Sequence, residues 1–222
     1  VTDTLSGRWI GQGPKVDLFE QRFKEKFGVD KEAISVNSGT SALHLSYELS
    51  NIKSGDEVIV PLFTCTATNI PLLYKDINLK FVDIDIDSMN MDLDHVESLI
   101  SERTKAIIPV HYGGLCNDMD RLNEIASRYE TTIIQDAAHS IGTTYKGKHL
   151  AELSDYVMYS FQAIKHFTTG DGGMVLLNKE LEDKAKRIRW FGIDRKAKQG
   201  GIWENDITEI GYKYQMTDVA AS

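Results

Sequence analysis

The sequence predicts an α/β fold in three layers, with helices on both faces of a mostly parallel seven-stranded sheet. Short apolar, β-branched runs alternate with longer segments of helical period, the pattern of parallel strands joined by crossover helices. Several of these runs are apolar at consecutive positions, as expected for strands covered on both faces. The 222 residues, 41% of them hydrophobic, are enough to bury a core of this size.

The predicted elements follow one another in a regular order. A helix comes first, because apolar side chains recur at three- and four-residue spacing between Pro14 and Gly28, which suit the start and end of a helix. The apolar runs then predict strands at 34–37, 57–60, 79–83, 105–110, 131–135, 155–160 and 174–177. Further helices are predicted near 39–50, 66–74, 92–101, 118–129 and 179–190.

Composition excludes several classes of function. The chain has 25 Lys and Arg residues and 33 Asp and Glu residues, which gives a formal net charge of −8. It has no basic stripe, so we expect no nucleic-acid partner. No apolar run approaches the roughly 20 residues that span a bilayer, and the N-terminus lacks a signal-peptide pattern, so no membrane partner is expected. Cys65 and Cys116 are too few for a disulfide framework, which favours the cytoplasm. The six histidines do not occur in pairs at the spacing typical of metal ligands, so we expect no metal site.

The loop after the first strand has small residues where a phosphate could bind. Gly39, Thr40 and Ser41 lie in a turn that runs directly into a helix. Glycine permits close approach of the backbone, the first amides of a helix are free donors, and the two hydroxyls add more. The same residues also fit an ordinary serine N-cap, and the pattern alone leaves both interpretations open.

Two further loops carry a carboxylate and an amine. Asp136 follows the fifth strand, where a half-buried acid needs a positive partner unless it is a helix N-cap. Lys165 follows the sixth strand with apolar Ile164 and Phe167 close by, which distinguishes it from a typical surface lysine. His111 ends the fourth strand, where it could line a pocket or be a buried edge histidine.

The carboxyl ends of parallel strands meet at one edge of a sheet, so we expect these loops to converge there. They would bring together a phosphate cradle, a carboxylate and an amine. Pyridoxal 5′-phosphate (PLP) needs donors around its phosphate, an anion facing its pyridine nitrogen and an amine for a Schiff base. The combination therefore predicts PLP as the cofactor.

The residues also resemble a known family over nearly the whole chain. The matching segments are 6–14, 37–43, 60–64, 109–111, 136–139, 160–165, 170–173 and 211–218. In these segments the chain resembles the DegT/StrS-type (DegT/DnrJ/StrS) PLP-dependent nucleotide-sugar aminotransferases. The resemblance implies the large domain of the aspartate-aminotransferase fold, PLP fold type I.

The resemblance also implies a role for each site residue. Lys165 would form the Schiff base, Asp136 would face the pyridine nitrogen, and His139 would lie near the phenolic oxygen of the cofactor. The phosphate would be held by Gly39, Thr40, Ser41 and Ser160.

Two predicted cofactor-binding positions depart from the family pattern. Cys65 stands where family members usually place an aromatic ring on the pyridine face. Lys213 stands where they have an asparagine that reaches the phosphate of the partner subunit's cofactor, and it could substitute as a point charge.

The implied activity is transfer of an amino group from an amino acid, by analogy glutamate, to a keto-deoxysugar linked to a nucleotide diphosphate. The implied pathway is synthesis of surface polysaccharides or secondary metabolites. We expect a homodimer and a large domain over 1–222 that ends at the junction to a C-terminal small domain absent from this chain. By itself the chain is then expected to show no turnover.

Two alternatives stay open at this point. A sugar dehydratase of the same family would use a histidine in place of the Schiff-base lysine, and His166 is adjacent to Lys165. A non-catalytic relative with a binding or regulatory role would retain the fold alone.

Overall fold

The computed structural model describes residues 1–202 and 206–222, and it confirms the predicted three-layer α/β fold. The seven strands of the main sheet have the order β1-β9-β8-β5-β4-β2-β3. Their bounds are β1 Glu32–Val36, β2 Glu57–Pro61, β3 Asn78–Val82, β4 Thr104–Ile107, β5 Thr132–Asp136, β8 Tyr156–Ser160 and β9 Gly173–Leu177. Only β9 runs antiparallel to its neighbours, β1 and β8, so the sheet is mostly parallel as predicted.

A small hairpin was not predicted. It consists of β6 (Thr144–Tyr145) and β7 (Lys148–His149), joined by Lys146 and Gly147 with positive φ of 50° and 80°. These φ values are those of the tight two-residue turns that favour hairpins. Strands of two residues are too short to show an alternating pattern, so this hairpin could not be predicted from the residue pattern.

The helices occupy both faces of the sheet. They are α1 Thr2–Leu5, α2 Pro14–Phe27, α3 Gly39–Leu49, α4 Thr66–Leu73, α5 Leu93–Leu99, α6 Met119–Tyr129, α7 Glu182–Ile188 and α8 Arg195–Gln199. Helices α3, α4 and α7 pack on one face and α2, α5 and α6 on the other, and consecutive strand residues such as Met158 and Tyr159 enter opposite cores. The short helices α1 and α8 were not predicted. None of the helices in the described part of the chain has the length and apolar composition needed to cross a bilayer.

Helix α2 is fixed at both ends. Gly28 ends it in the left-handed conformation, with φ 61°, as its position in the sequence predicts. At the other end, the buried carboxylate of Asp218 accepts hydrogen bonds from the backbone N–H groups of Gly13 (2.7 Å), Lys15 (3.2 Å) and Val16 (3.1 Å). A negative charge here stabilises the helix N-terminus and attaches segment 211–218 to the start of the domain.

Candidate active site

A cavity of about 410 Å³ lies at the carboxyl ends of the parallel strands. It is bounded by the N-terminus of α3, the start of α4, the turn after β5 and the loop between β8 and β9. Seven of the nine predicted site residues line it: Gly39, Thr40, Cys65, Asp136, His139, Ser160 and Lys165. Ser41 and Lys213 do not line it.

The predicted phosphate cradle depends on the absence of a side chain at Gly39. A Cβ atom there would lie 2.9 Å from both Cβ and Oγ of Ser160, closer than real Cβ contacts. Glycine therefore lets the first turn of α3 approach the end of β8. The free N–H groups of this turn and the hydroxyl-bearing residues Thr40 and Ser160 all border the cavity.

The serine N-cap lies in the same turn as the predicted cradle. Ser38 caps α3, because its Oγ accepts a hydrogen bond from the Ser41 N–H at 3.0 Å. The Ser41 hydroxyl donates to Oδ1 of Asn37 at 2.7 Å, and Ser41 is buried behind the cradle. Ser38, which was not predicted as a site residue, borders the cavity instead. Its position directly before a predicted helix was the signal that could have identified it.

Asp136 ends β5 and is only 4% exposed. Its Oδ2 accepts a hydrogen bond from Thr68 Oγ1 at 2.8 Å, and its Oδ1 accepts one from the Ala138 N–H at 3.1 Å. Burial raises the pKa of this carboxyl, and the two hydrogen bonds and the charges of His139 and Lys165 oppose that rise. Thr68 was missed, because only the packing of α4 brings it to a residue 68 positions away.

Lys165 lines the same cavity as Asp136. It belongs to the loop between β8 and β9, where its N–H donates to the Gln162 carbonyl at 2.9 Å. The start of β9, directly after this loop, passes close to the turn before α3, since a Cβ atom at Gly173 would lie 2.4 Å from the Ser38 carbonyl oxygen. No ion pair within 4.0 Å joins Lys165 to Asp136, although the two charges influence each other through the cavity.

His139 completes the wall beside Asp136. Its Nδ1 accepts a long hydrogen bond of 3.4 Å from the Gly113 N–H, and its ring meets Tyr112 edge-on at 5.6 Å. Burial lowers the pKa of His139, and the positive charge of Lys165 lowers it further. The imidazole is therefore favoured in its neutral form, which has both a donor and an acceptor nitrogen.

Two residues behave differently from the rest of the predicted set. Cys65 is an exposed free cysteine at the N-cap of α4, so the cavity wall has a small polarizable side chain there. Lys213 lies outside this cavity, with its ammonium 5.3 Å from the ring centroid of Phe191 and 5.9 Å from that of Trp190. Its expected role in a partner subunit's site remains a prediction.

His111 is a buried edge histidine and does not line the cavity. Its Nε2 lies 2.8 Å from Gln135 Oε1, and its Nδ1 accepts from the Asn117 N–H at 3.2 Å. Nε2 therefore carries the proton of a neutral ring. Burial lowers its pKa to about 4. Among residues 1–202 and 206–222, no group of three or more His, Cys, Asp or Glu side chains is arranged to hold a metal ion.

The fold and the cavity together define a large domain of the aspartate-aminotransferase type. A sequence model described as the DegT/DnrJ/EryC1/StrS aminotransferase family matches residues 1–222. The chain belongs to this family, as the resemblance of its motifs predicted.

Individual relatives agree with this assignment. The chain is 45% identical to the uncharacterized protein MJ1066 of Methanocaldococcus jannaschii and 36% identical to the spore coat polysaccharide biosynthesis protein SpsC of Bacillus subtilis. Both matches cover 100% of this chain and 58% of the relative, so the chain spans less than two thirds of their length.

A solved structure gives the same result in three dimensions. The PLP-form of Spr1654 from Streptococcus pneumoniae, a protein named as a sugar aminotransferase, superposes with a TM-score of 0.92 and 33% sequence identity. The match covers 99% of this chain and 60% of Spr1654. The same protein is also known in a PMP-form.

Proposed function

We propose that this chain is the PLP-binding large domain, over 1–222, of an aminotransferase that acts on sugars linked to nucleotide diphosphates. The observation that carries the proposal is that Asp136, Lys165 and the N-terminus of α3 all line one cavity. The amino donor is an amino acid, by family analogy glutamate. The products would serve polysaccharide or secondary-metabolite synthesis, and SpsC is named for the former.

The residues present fit the cofactor. A dianionic phosphate suits the free N–H groups of α3 and the hydroxyls of Thr40 and Ser160, and Gly39 leaves room for it. A pyridine nitrogen that carries a proton suits the buried Asp136, which has no cation partner of its own among the described residues. An aldehyde suits the amine of Lys165.

When bound, PLP supplies an electron sink next to the α-carbon of the amino-acid donor. The chain's own groups prepare for that chemistry. Lys165 Nζ would hold the cofactor, and as a free amine it would act as general base and acid. Asp136 would face the ring nitrogen and favour its protonated form, and the hydrogen bonds that the carboxylate accepts from Thr68 and Ala138 keep it oriented. Neutral His139 can donate a hydrogen bond to an oxygen beside it.

The position of Lys165 supports the aminotransferase over the dehydratase. Lys165 lines the cavity and is half-buried, whereas His166 is exposed and is not part of the lining. The complete set of amine, acid and cradle also weighs against a relative that retains the fold alone.

The remaining expectations from the family resemblance stand as proposals. The protein would act as a homodimer, with Lys213 directed to the partner subunit's cofactor. A C-terminal small domain would complete the substrate site. The location would be the cytoplasm, which agrees with the two free cysteines.

Addition of PLP, reduction with borohydride and peptide mapping test this proposal directly. We expect the pyridoxyl label on Lys165, and we expect Lys165→Ala to lose both the label and the visible absorbance band. Lys148→Ala, which changes an exposed lysine of the hairpin, should retain both. A label on another lysine, or no bound PLP, would overturn the proposal. Bound PLP that cannot be fixed by reduction would favour the dehydratase.

A further inference from the structure

A short chain of hydroxyl groups leads from the cavity to the buried carboxylate. Thr64 Oγ1 lies 2.7 Å from Thr68 Oγ1, which lies 2.8 Å from Oδ2 of Asp136. Thr64 is half-buried and borders the cavity, whereas Thr68 is completely buried. These two threonines were not among the residues selected from the sequence.

The direction of these hydrogen bonds follows from which of the groups carry a proton to donate. An ionised carboxylate only accepts hydrogen bonds, and a threonine hydroxyl has a single proton to donate. Thr68 therefore gives its proton to Asp136, and Thr64 must donate to Thr68. In a protonated Asp136 the first bond could reverse, so the direction of the chain depends on the charge of the acid.

The backbone holds the inner threonine in place. Thr68 lies in the first turn of α4, and Thr64 directly precedes Cys65, the N-cap residue of that helix. The Thr68 N–H donates to the Cys65 carbonyl at 3.0 Å, and its own carbonyl accepts from the buried hydroxyl of Tyr47 at 2.9 Å. The side chain of Thr68 thus meets Asp136 from a fixed position on a different element.

We propose that Thr68 is a positioning residue that keeps Asp136 ionised and oriented toward the ring nitrogen of the cofactor, with Thr64 as the outer donor that orients Thr68. This inference rests on the proposed function, because it assumes that Asp136 faces that nitrogen. With one bond from Thr68 and one from Ala138, each carboxylate oxygen still has a free lone pair for the ligand.

Other groups near Asp136 also influence whether its carboxyl group is ionised. Lys165 and His139 line the same cavity, and positive charge on either side chain favours the ionised form of Asp136. Tyr47 faces it from α3, and the negative charge of Asp136 helps to raise the pKa of that phenol. A substitution of Thr68 leaves Lys165 and His139 unchanged in the sequence. The contribution of the Thr68 hydroxyl to the ionisation of Asp136 can therefore be measured separately from theirs.

The test is a titration of the Asp136 side chain without cofactor. Aspartate labelled with ¹³C at the carboxyl carbon is followed by NMR against pH, and the signal that disappears in Asp136→Asn identifies the group. In Thr68→Val, which removes the hydroxyl but keeps the shape, we expect the pKa of Asp136 to rise by about one unit. Thr68→Ser should restore the wild-type titration. Thr64→Val should cause a smaller rise, and it remains informative if Thr68→Val does not fold.

A second readout separates this inference from the proposed function. With PLP added, Thr68→Val should bind the cofactor about tenfold more weakly, while Thr68→Ser binds it normally. An unchanged Asp136 titration in both valine variants would overturn the role of Thr68 even if PLP binds to Lys165. Failure of the wild-type protein to bind PLP would instead overturn the proposed function, and the effect of Thr68 on the titration would still be measurable.

Discussion

Two buried carboxylates in this domain have opposite surroundings. Glu20 of α2 is 7% exposed, and its Oε1 accepts from Arg189 Nη1 at 2.6 Å and from the N–H and hydroxyl of Ser35 at 2.8 and 2.7 Å. Asp136 is 4% exposed but accepts only from neutral donors, the Thr68 hydroxyl and the Ala138 N–H. Glu20 has its cation within the fold, whereas Asp136 faces a cavity.

This difference predicts that the charge of Glu20 serves stability and that the charge of Asp136 serves ligand binding. A buried carboxylate that already pairs with an arginine of the same fold is not available to a cationic ligand. Removal of either partner leaves the other charge buried and unpaired. A buried carboxylate without a cation is costly to keep ionised, and a cationic ligand would relieve that cost. We therefore expect mutations at Glu20–Arg189 to affect stability and mutations at Asp136 to affect cofactor binding.

The largest effect on stability is expected for Arg189→Met. Loss of the guanidinium leaves Glu20 buried and unpaired, which should lower the free energy of unfolding by about 3–5 kcal/mol. In urea denaturation, the double variant Glu20→Gln with Arg189→Met should recover a large part of this loss, because the buried charge is then gone as well.

The control for this experiment is Arg128→Met. Arg128 is half-exposed and pairs with Glu97 and Glu124 on the surface, so its loss should cost at most about 1 kcal/mol. The comparison fails if Arg189→Met is no more destabilising than the surface variant.

A second prediction concerns His111, a buried neutral group in the segment after β4, where its N–H donates to the Asp136 carbonyl at 3.1 Å. Its pKa in the folded protein is about 4, below the ordinary value of 6.5, so the unfolded chain binds the proton more tightly between these values. Stability is therefore lost as the pH falls from about 6.5 to about 4, by about 3 kcal/mol in total.

Urea denaturation at several pH values checks this prediction. His111→Gln should reduce the loss over this window by that amount, because glutamine does not titrate. His95→Gln, at a half-buried surface position, serves as the control. An equal pH dependence in His111→Gln and in the wild-type protein would show that another group is responsible.

The smallest effect on stability is expected for Asp136→Asn. The pKa of Asp136 is raised by burial, so the folded protein binds its proton more tightly and the ionised form lowers stability at neutral pH. The neutral amide should therefore change the free energy of unfolding by no more than about 1 kcal/mol. PLP affinity should fall by about 10- to 100-fold. A strong loss of stability with normal PLP binding would reverse the assigned roles of the two carboxylates.

Much of the fold could be predicted because its signals are local. Buried strands and amphipathic helices show in consecutive residues, and the rule that ligands bind at the carboxyl ends of parallel strands then located Gly39, Asp136 and Lys165. The hairpin β6–β7 was missed, because strands of two residues have no measurable period.

The partners of these groups could not be predicted, because they come from distant parts of the chain. Thr68 meets Asp136 only after α4 packs on the sheet, and Arg189 meets Glu20 across 169 positions. The roles of Ser38 and Ser41 depend on which hydroxyl caps α3, a matter of local geometry that residue types do not determine.

We propose that the protonated ring nitrogen of PLP is the cationic partner that the buried carboxylate of Asp136 lacks within the fold. The most direct test is the ¹⁵N NMR shift of ring-labelled PLP bound to the wild-type protein, to Asp136→Asn and to the exposed control Asp87→Asn. We predict a protonated nitrogen at neutral pH in the wild-type and control proteins and an unprotonated one in Asp136→Asn. An unprotonated nitrogen in the wild-type protein, or the same shift in all three, would contradict the claim.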